Sequence, residues 1–195
     1  GGLVQGQALQ DYVNQLVHQQ PIEKLKIPFA AVSTELETGA RAAFVHGNTG
    51  QAVRASSSIP GVFEPAEIRG RHYVDGGVVS PIPVDAARQL GADFVIAVDI
   101  STKPSGSNPQ GMMNIVGQSI SIMGQQLATQ ETARADVVIR PRLAGIGPTD
   151  FEQKNQAILE GEKAALAAIP GIRARLAAMA AVRAAAAAAA ATPAH

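Results

Sequence analysis

Residues 72–100 read HYVDGGVVSPIPVDAARQLGADFVIAVDI. His72 to Asp75 reads as a short strand that runs into Gly76-Gly77. Pro83 to Leu90 reads as a helix, with proline at its start and Gly91 just past its end. Phe94 to Ile100 is nearly pure apolar, the pattern of a strand buried on both faces of a parallel sheet. Strands alternating with helices predict an α/β architecture.

The rest of the chain fits this frame. Leu9, Val13, Leu16 and Val17 recur at helical spacing and predict a helix over 7–19, stopped by Pro21. Ile27 to Val32 predicts a buried strand, Ala42 to Val45 its partner, and Glu37-Thr38-Gly39 the turn between them. His46 to Gly50 reads as a turn, and Gln51 to Ser58 as two helical turns ended by Ile59-Pro60-Gly61. Residues 101–110 are rich in Ser, Pro, Gly and Asn and read as a loop. Met112 to Gln130 predicts a long helix whose stripe is Val116, Ile120, Met123 and Leu127. Its wide apolar surface reads as core packing or a dimer face, with an interfacial lipid face as the alternative. Val137 to Ile139 predicts a short buried strand, and Phe151 to Ala168 a helix capped by Thr149 or Asp150. Composition divides the chain into 1–170 and an Ala/Arg-rich helical extension or linker over 171–195, which holds eight consecutive alanines, Ala184 to Ala191.

Composition excludes several classes. Hydrophobic residues make up 46% and charged residues 16% of the 195, a mix that supports a folded core. Lys+Arg and Asp+Glu are 16 each, so a basic nucleic-acid binder is not expected. There is no Cys, which removes a disulfide scaffold, a thiolate metal site and a thiol nucleophile. Outside the alanine tract no charge-free stretch has the length of an ordinary transmembrane helix. No Walker loop, G-x-G-x-x-G, His/Glu zinc motif or EF-hand loop occurs, and Pro148 breaks the pattern begun by Gly145-Ile146-Gly147. Neither a metal nor a cofactor is expected.

The chemistry-bearing candidate is Asp75 with Gly76 and Gly77. An acid at a strand end can face the crevice beyond the sheet, and two glycines let the backbone approach a ligand closely. Alone, Asp-Gly-Gly is more often a plain turn. Its surroundings add specificity. Arg54-Ala55-Ser56-Ser57-Ser58-Ile59-Pro60-Gly61-Val62-Phe63 lies upstream, and Ser80-Pro81-Ile82-Pro83 follows. Pro28 to Gly39 and Ala135 to Pro141 add two further blocks. Taken in order, these blocks resemble the patatin-like phospholipases, whose pattern is R-A-S-x-x-x-P-x-x-F, then D-G-G or D-G-A, then a proline-punctuated turn into a helix. The likeness runs from about Gly2 to about Ala168 and is nearest to bacterial members.

The resemblance implies a three-layer fold with a mainly parallel central sheet. It also implies a lipid acyl hydrolase that cleaves carboxylic esters of phospholipid type with a Ser-Asp dyad. Asp75 matches the family's general base. His72 falls on the strand face opposite Asp75 and is a poor relay; His18, His46 and His195 lie in the first helix, a turn and the tail. The family's nucleophile sits on a G-x-S-x-G elbow, and no such motif occurs in the sequence. Ser119, in Gly117-Gln118-Ser119-Ile120-Ser121, reads as an ordinary helix residue, and Ser56-Ser57-Ser58 as a turn that caps or lines the site floor. The chain therefore reads as the C-terminal portion of the catalytic domain, inactive alone, with the first strand, oxyanion loop and nucleophile supplied by a segment before it. The alternative is a lipid-binding or oligomerising scaffold on the same fold. Expected partners are a fatty-acyl ester, a membrane surface through peripheral contact, and a second copy. Location stays open among cytoplasm, membrane surface and secretion.

Overall fold

The computed structural model describes residues 6–101, 111–143, 145–146 and 151–190. They divide into two compact units, one from residues 1–95 and 101–135, the other from 96–100 and 136–195.

The first unit opens with helix α1, Gln7–Leu16. The helix ends three residues earlier than its periodicity suggests. His18 and Gln19 adopt φ of 54° and 61°, a left-handed conformation that cannot continue an α-helix. Helix α2, Thr49–Ser56, starts where the Asn48 side chain accepts the Gln51 N–H at 2.7 Å. Buried Asn14 of α1 locks the two helices together. Its Nδ2 donates to Asn48 Oδ1 at 3.0 Å, and its Oδ1 accepts the Gly50 N–H at 2.8 Å. Contact is so close that a Cβ on Gly50 would lie 2.2 Å from the Gln10 carbonyl oxygen.

Four antiparallel strands form the sheet of this unit: β1 (Ala31–Glu35), β2 (Arg41–Phe44), β3 (Ala66–Ile68) and β4 (Arg71–Asp75). Their order is β2-β1-β4-β3. Strand β1 begins at Ala31 rather than Ile27, because Pro28 has no N–H to give a ladder; Ile27 is 79% exposed. All five residues of β1 are buried. Ala31 pairs with Phe44 on one side and Ser33 with Asp75 on the other. Strand β3 was not legible in the sequence. Arg69 and Gly70 join it to β4 at φ of 53° and 77°, a type I′ reversal. Phe44 packs edge-to-face on Tyr73, with centroids 5.0 Å apart, and both rings join a core built on Ala55 and Ala66.

After β4 the chain turns into α3, Val84–Gln89, and later α4, Met112–Thr132. Arg134 grips Asp85 with two nitrogens at 2.9 and 3.0 Å, an exposed pair worth at most about 1 kcal/mol. Deeper in, buried Glu131 of α4 accepts the Ser80 hydroxyl and the Ile82 N–H, the latter at 2.7 Å. The α4 stripe is covered only in part: Ile120 and Leu127 are half-buried, whereas Val116 and Met123 are exposed, as are Met112 and Ile115 beside them.

The second unit holds β5 (Ile96–Val98) and β6 (Val137–Ile139), paired in parallel with Ile96 opposite Val137. A sheet with parallel strands is therefore present, beside a larger described sheet whose four strands are antiparallel. Strand β5 is not buried on both faces. Ala97 is buried while Ile96 and Val98 are exposed, the signature of one covered face. Helix α5, Lys154–Ala190, runs unbroken through Pro170, so no break marks the composition change at residue 171. The Arg175 guanidinium donates to the Asp136 carbonyl ahead of β6. Among the described residues α5 is the one helix long and apolar enough to cross a membrane, and it takes in most of the expected helical extension over 171–195. The expected loop over 102–110 and the Thr149/Asp150 cap lie outside the described residues.

Glu131→Ala should leave two buried donors unpaired, each costing about 1–3 kcal/mol. Glu131→Gln, which keeps one acceptor, should lose less. Denaturant midpoints of the two variants and the wild type check the ranking.

Candidate active site around Asp75

Asp75 closes β4, and its backbone is pinned on several sides. Its N–H donates to the Ser58 carbonyl at 2.9 Å. Its own carbonyl accepts the Thr34 hydroxyl, also at 2.9 Å, and Ser33 stands opposite it in the ladder. The side chain is held less completely. Oδ1 accepts the Gly77 N–H at 2.6 Å, while Oδ2 has no hydrogen-bond partner among the described residues. Burial pushes the Asp75 carboxyl above the ordinary aspartate range, and the Gly77 N–H pulls part of the way back. No cation among the described residues pairs with it.

Gly76 has a steric reason to be glycine. A Cβ on Gly76 would sit 2.1 Å from the Val32 carbonyl oxygen, inside any possible contact. A Cβ on Gly77 would meet Asp75 Oδ1 at 3.0 Å and crowd the carboxylate. The turn thus lies flush on β1, and the carboxylate faces a cavity of about 360 Å³ shared with Ser56, Ser57, Val53 and Pro83. A larger cavity, about 670 Å³, lies beside it over β2 and α3 and contains no part of the 75–77 turn.

The serines fall as their sequence context suggests. Ser56 Oγ donates to the Val32 carbonyl at 2.6 Å, tying α2 to β1, and Ser58 Oγ donates to the Arg54 carbonyl at 2.8 Å, closing the end of α2. Ser119 Oγ returns to the Ile115 carbonyl at 2.8 Å within α4. His72 points away from Asp75 and bonds Glu37 at 2.8 Å. His18 lies just past α1 rather than within it, His46 is exposed, and His195 is outside the described residues. Sequence reasoning missed Glu131, Ser80 and Thr34. Glu131 lies one residue past the stretch read as helix, and nothing in the sequence marks its partner 51 residues upstream. Ser33 also went unnoticed. Its hydroxyl is fully buried, opposite Asp75 in the ladder, with no hydrogen-bond partner among the described residues. Among the described residues no three His, Asp or Glu side chains gather as metal ligands do.

With this geometry in place, comparison with known proteins is informative. The patatin-like phospholipase family model matches residues 1–88, which include Asp75, Gly76 and Gly77. An uncharacterized NTE family protein of Mycobacterium bovis is 34% identical over 122 residues, 63% of this chain and 34% of that protein. A Mycobacterium tuberculosis counterpart matches to the same degree. Human patatin-like phospholipase domain-containing protein 6 is 30% identical over 118 residues, 60% of this chain and 8% of that protein. The chain therefore spans about a third of the length of its mycobacterial relatives.

Gly76→Ala should force the 75–77 turn off β1 and cost about 1–3 kcal/mol of stability or more, read by thermal or denaturant unfolding. A second test concerns charge. Because folding raises the Asp75 pKa, its protonated form is favoured in the folded state. That contribution is complete below the ordinary aspartate pKa and is lost as pH rises through the raised value. Asp75→Asn should therefore gain stability relative to wild type as pH rises through this window. A difference that shrinks with rising pH contradicts the burial.

Proposed function

We propose that this chain, whose residues 1–88 match the patatin-like phospholipase family model, supplies the general base of a lipid acyl hydrolase. The observation that carries the proposal is Asp75 itself. It is a half-buried carboxylate at a strand end, facing a cavity, with one oxygen tied to Gly77 and the other open. A carboxylate so placed can accept the proton of a serine hydroxyl as that oxygen attacks an ester carbonyl. It can then return the proton to the leaving alcohol, and in a second round activate water against the acyl-enzyme. Desolvation favours this work, because a base with a raised pKa binds a proton more readily near neutral pH.

The nucleophile is assigned to a G-x-S-x-G segment outside this sequence, together with the donors that hold the oxyanion. The substrate class is a carboxylic ester of a fatty acid, phospholipid or lysophospholipid, and the scheme calls on no metal. A second reading, a lipid-binding or self-associating scaffold on the same fold, draws support from the exposed apolar residues of α4. A membrane surface or a second copy could cover them.

Asp75→Asn in the full-length protein should lower kcat on a short-chain ester by at least about 100-fold, with the variant still folded. The wild-type pH–rate profile should show an acid limb displaced above the ordinary aspartate range. Labelling by a serine-directed phosphonate separates the readings: the hydrolase labels and the scaffold does not. Near wild-type turnover in Asp75→Asn would falsify the assignment of the base.

A further inference from the structure

We infer that the Ser33 hydroxyl is the second hydrogen-bond donor of the Asp75 carboxylate, a positioning residue that holds Oδ2 from within the sheet while the same oxygen stays open to the cavity. The pairing itself rests on strand geometry. Its use in proton transfer rests on the hydrolase reading above.

Three observations carry it. First, a donor and an acceptor both lack partners. Ser33 is fully buried, and its Oγ has no hydrogen-bond partner among the described residues. Asp75 gives Oδ1 to the Gly77 N–H and leaves Oδ2 unbonded. A buried hydroxyl is costly unless it is bonded, so each group supplies what the other needs.

Second, the ladder sets them opposite each other. Ser33 of β1 pairs with Asp75 of β4. The Leu36 N–H donates to the His72 carbonyl, whereas the Asp75 N–H turns away to the Ser58 carbonyl. Hydrogen-bonded pairs alternate along antiparallel strands. Ser33 and Asp75 therefore form a non-hydrogen-bonded pair, whose Cα atoms lie about 4.5 Å apart and whose side chains approach most closely. Paired residues share one face of the sheet. A step between staggered χ1 positions turns a serine hydroxyl toward or away from such a neighbour.

Third, the other groups on that face are engaged or apolar. The ladder partner of Ser33 on its other side is Ala42, and Ala55 of α2 packs with Ala42 and Tyr73. Glu35, two residues along β1, is paired with Arg71. Arg54 of α2 donates to Gln7 and Gln10. Glu131 of α4 is bound to Ser80 and Ile82. Strands β2 and β3 bring no titratable side chain to this face, and β4 adds Tyr73 beside Asp75 and Arg71.

Consecutive β1 residues thus divide the work. Thr34 grips the Asp75 main chain and Ser33 its side chain. A carboxylate oxygen accepts more than one hydrogen bond, so a bond from Ser33 leaves Oδ2 able to take the proton of an attacking hydroxyl.

Isotope labelling of aspartate carboxyl carbons in the full-length protein, followed by NMR, reads the Asp75 titration directly; its signal is the one lost in Asp75→Asn. A bond to the ionised form favours ionisation. Ser33→Ala should therefore raise the Asp75 titration midpoint by about one pH unit. Ser33→Cys, which keeps a weak donor, should fall between Ser33→Ala and wild type. The acid limb of the pH–rate profile should move with the midpoint. A serine with a purely structural role would shift the unfolding midpoint and leave the titration in place. An unchanged titration in folded Ser33→Ala overturns the inference; should that variant unfold, a wild-type titration in Ser33→Cys does so. A raised midpoint, in a protein whose Asp75→Asn form keeps full esterase turnover, upholds the bond and removes Asp75 as the base.

Discussion

Residue 76 has no room for a side chain, and the candidate site follows from that fact. The 75–77 turn rests directly on the β1 backbone, with the Val32 carbonyl oxygen occupying the place where a Cβ would project. Such contact fixes the turn relative to the centre of the sheet, where every residue of β1 is buried. Asp75 is therefore positioned by main-chain geometry, through Ser58, Thr34 and the ladder to Ser33. Its side chain remains comparatively free. That division suits a proton acceptor: the backbone holds the group in place, and one oxygen stays open toward the cavity.

A second layer braces the first. Glu131 reaches from α4 to the Ser80–Ile82 segment, just after the glycines, and satisfies two buried donors there. Without it the chain leaving the site would have to desolvate those groups uncompensated. Asn14 plays a comparable part between α1 and α2, whose serine-rich end borders the same cavity. In both places a buried polar side chain of one helix holds the backbone of a distant segment, which makes the cavity wall a consequence of tertiary contacts.

Local patterns were readable where local physics decides. The β1–β2 hairpin, the helix ending at the triple serine, the Pro83-to-Gly91 punctuation of α3 and the strand ending in Asp75 all follow from spacing, proline and glycine. What escaped depends on partners remote in sequence. Strand β3 has three residues and turns on Arg69-Gly70, without the Asn-Gly or Asp-Gly that announces such a hairpin. The α4 stripe has helical spacing, and spacing alone does not say whether anything packs on it. An all-apolar β5 reads as covered on both faces, yet Ala97 is buried while Ile96 and Val98 are exposed. For the site, Asp75, Gly76 and Gly77 were legible from motif and order. Glu131 was not, because its role exists only once the chain has folded back over 51 residues.

The outer strands of the four-stranded sheet carry a consequence of their own. Strand β2 has four residues and opens on exposed Arg41; β3 has three, with exposed Glu67 at its centre. Short, charged margins make poor templates for pairing with a stranger's backbone. Rims of that kind discourage the described sheet from growing sideways into fibrillar stacks, so the ends of its fold double as a guard against its own stickiness.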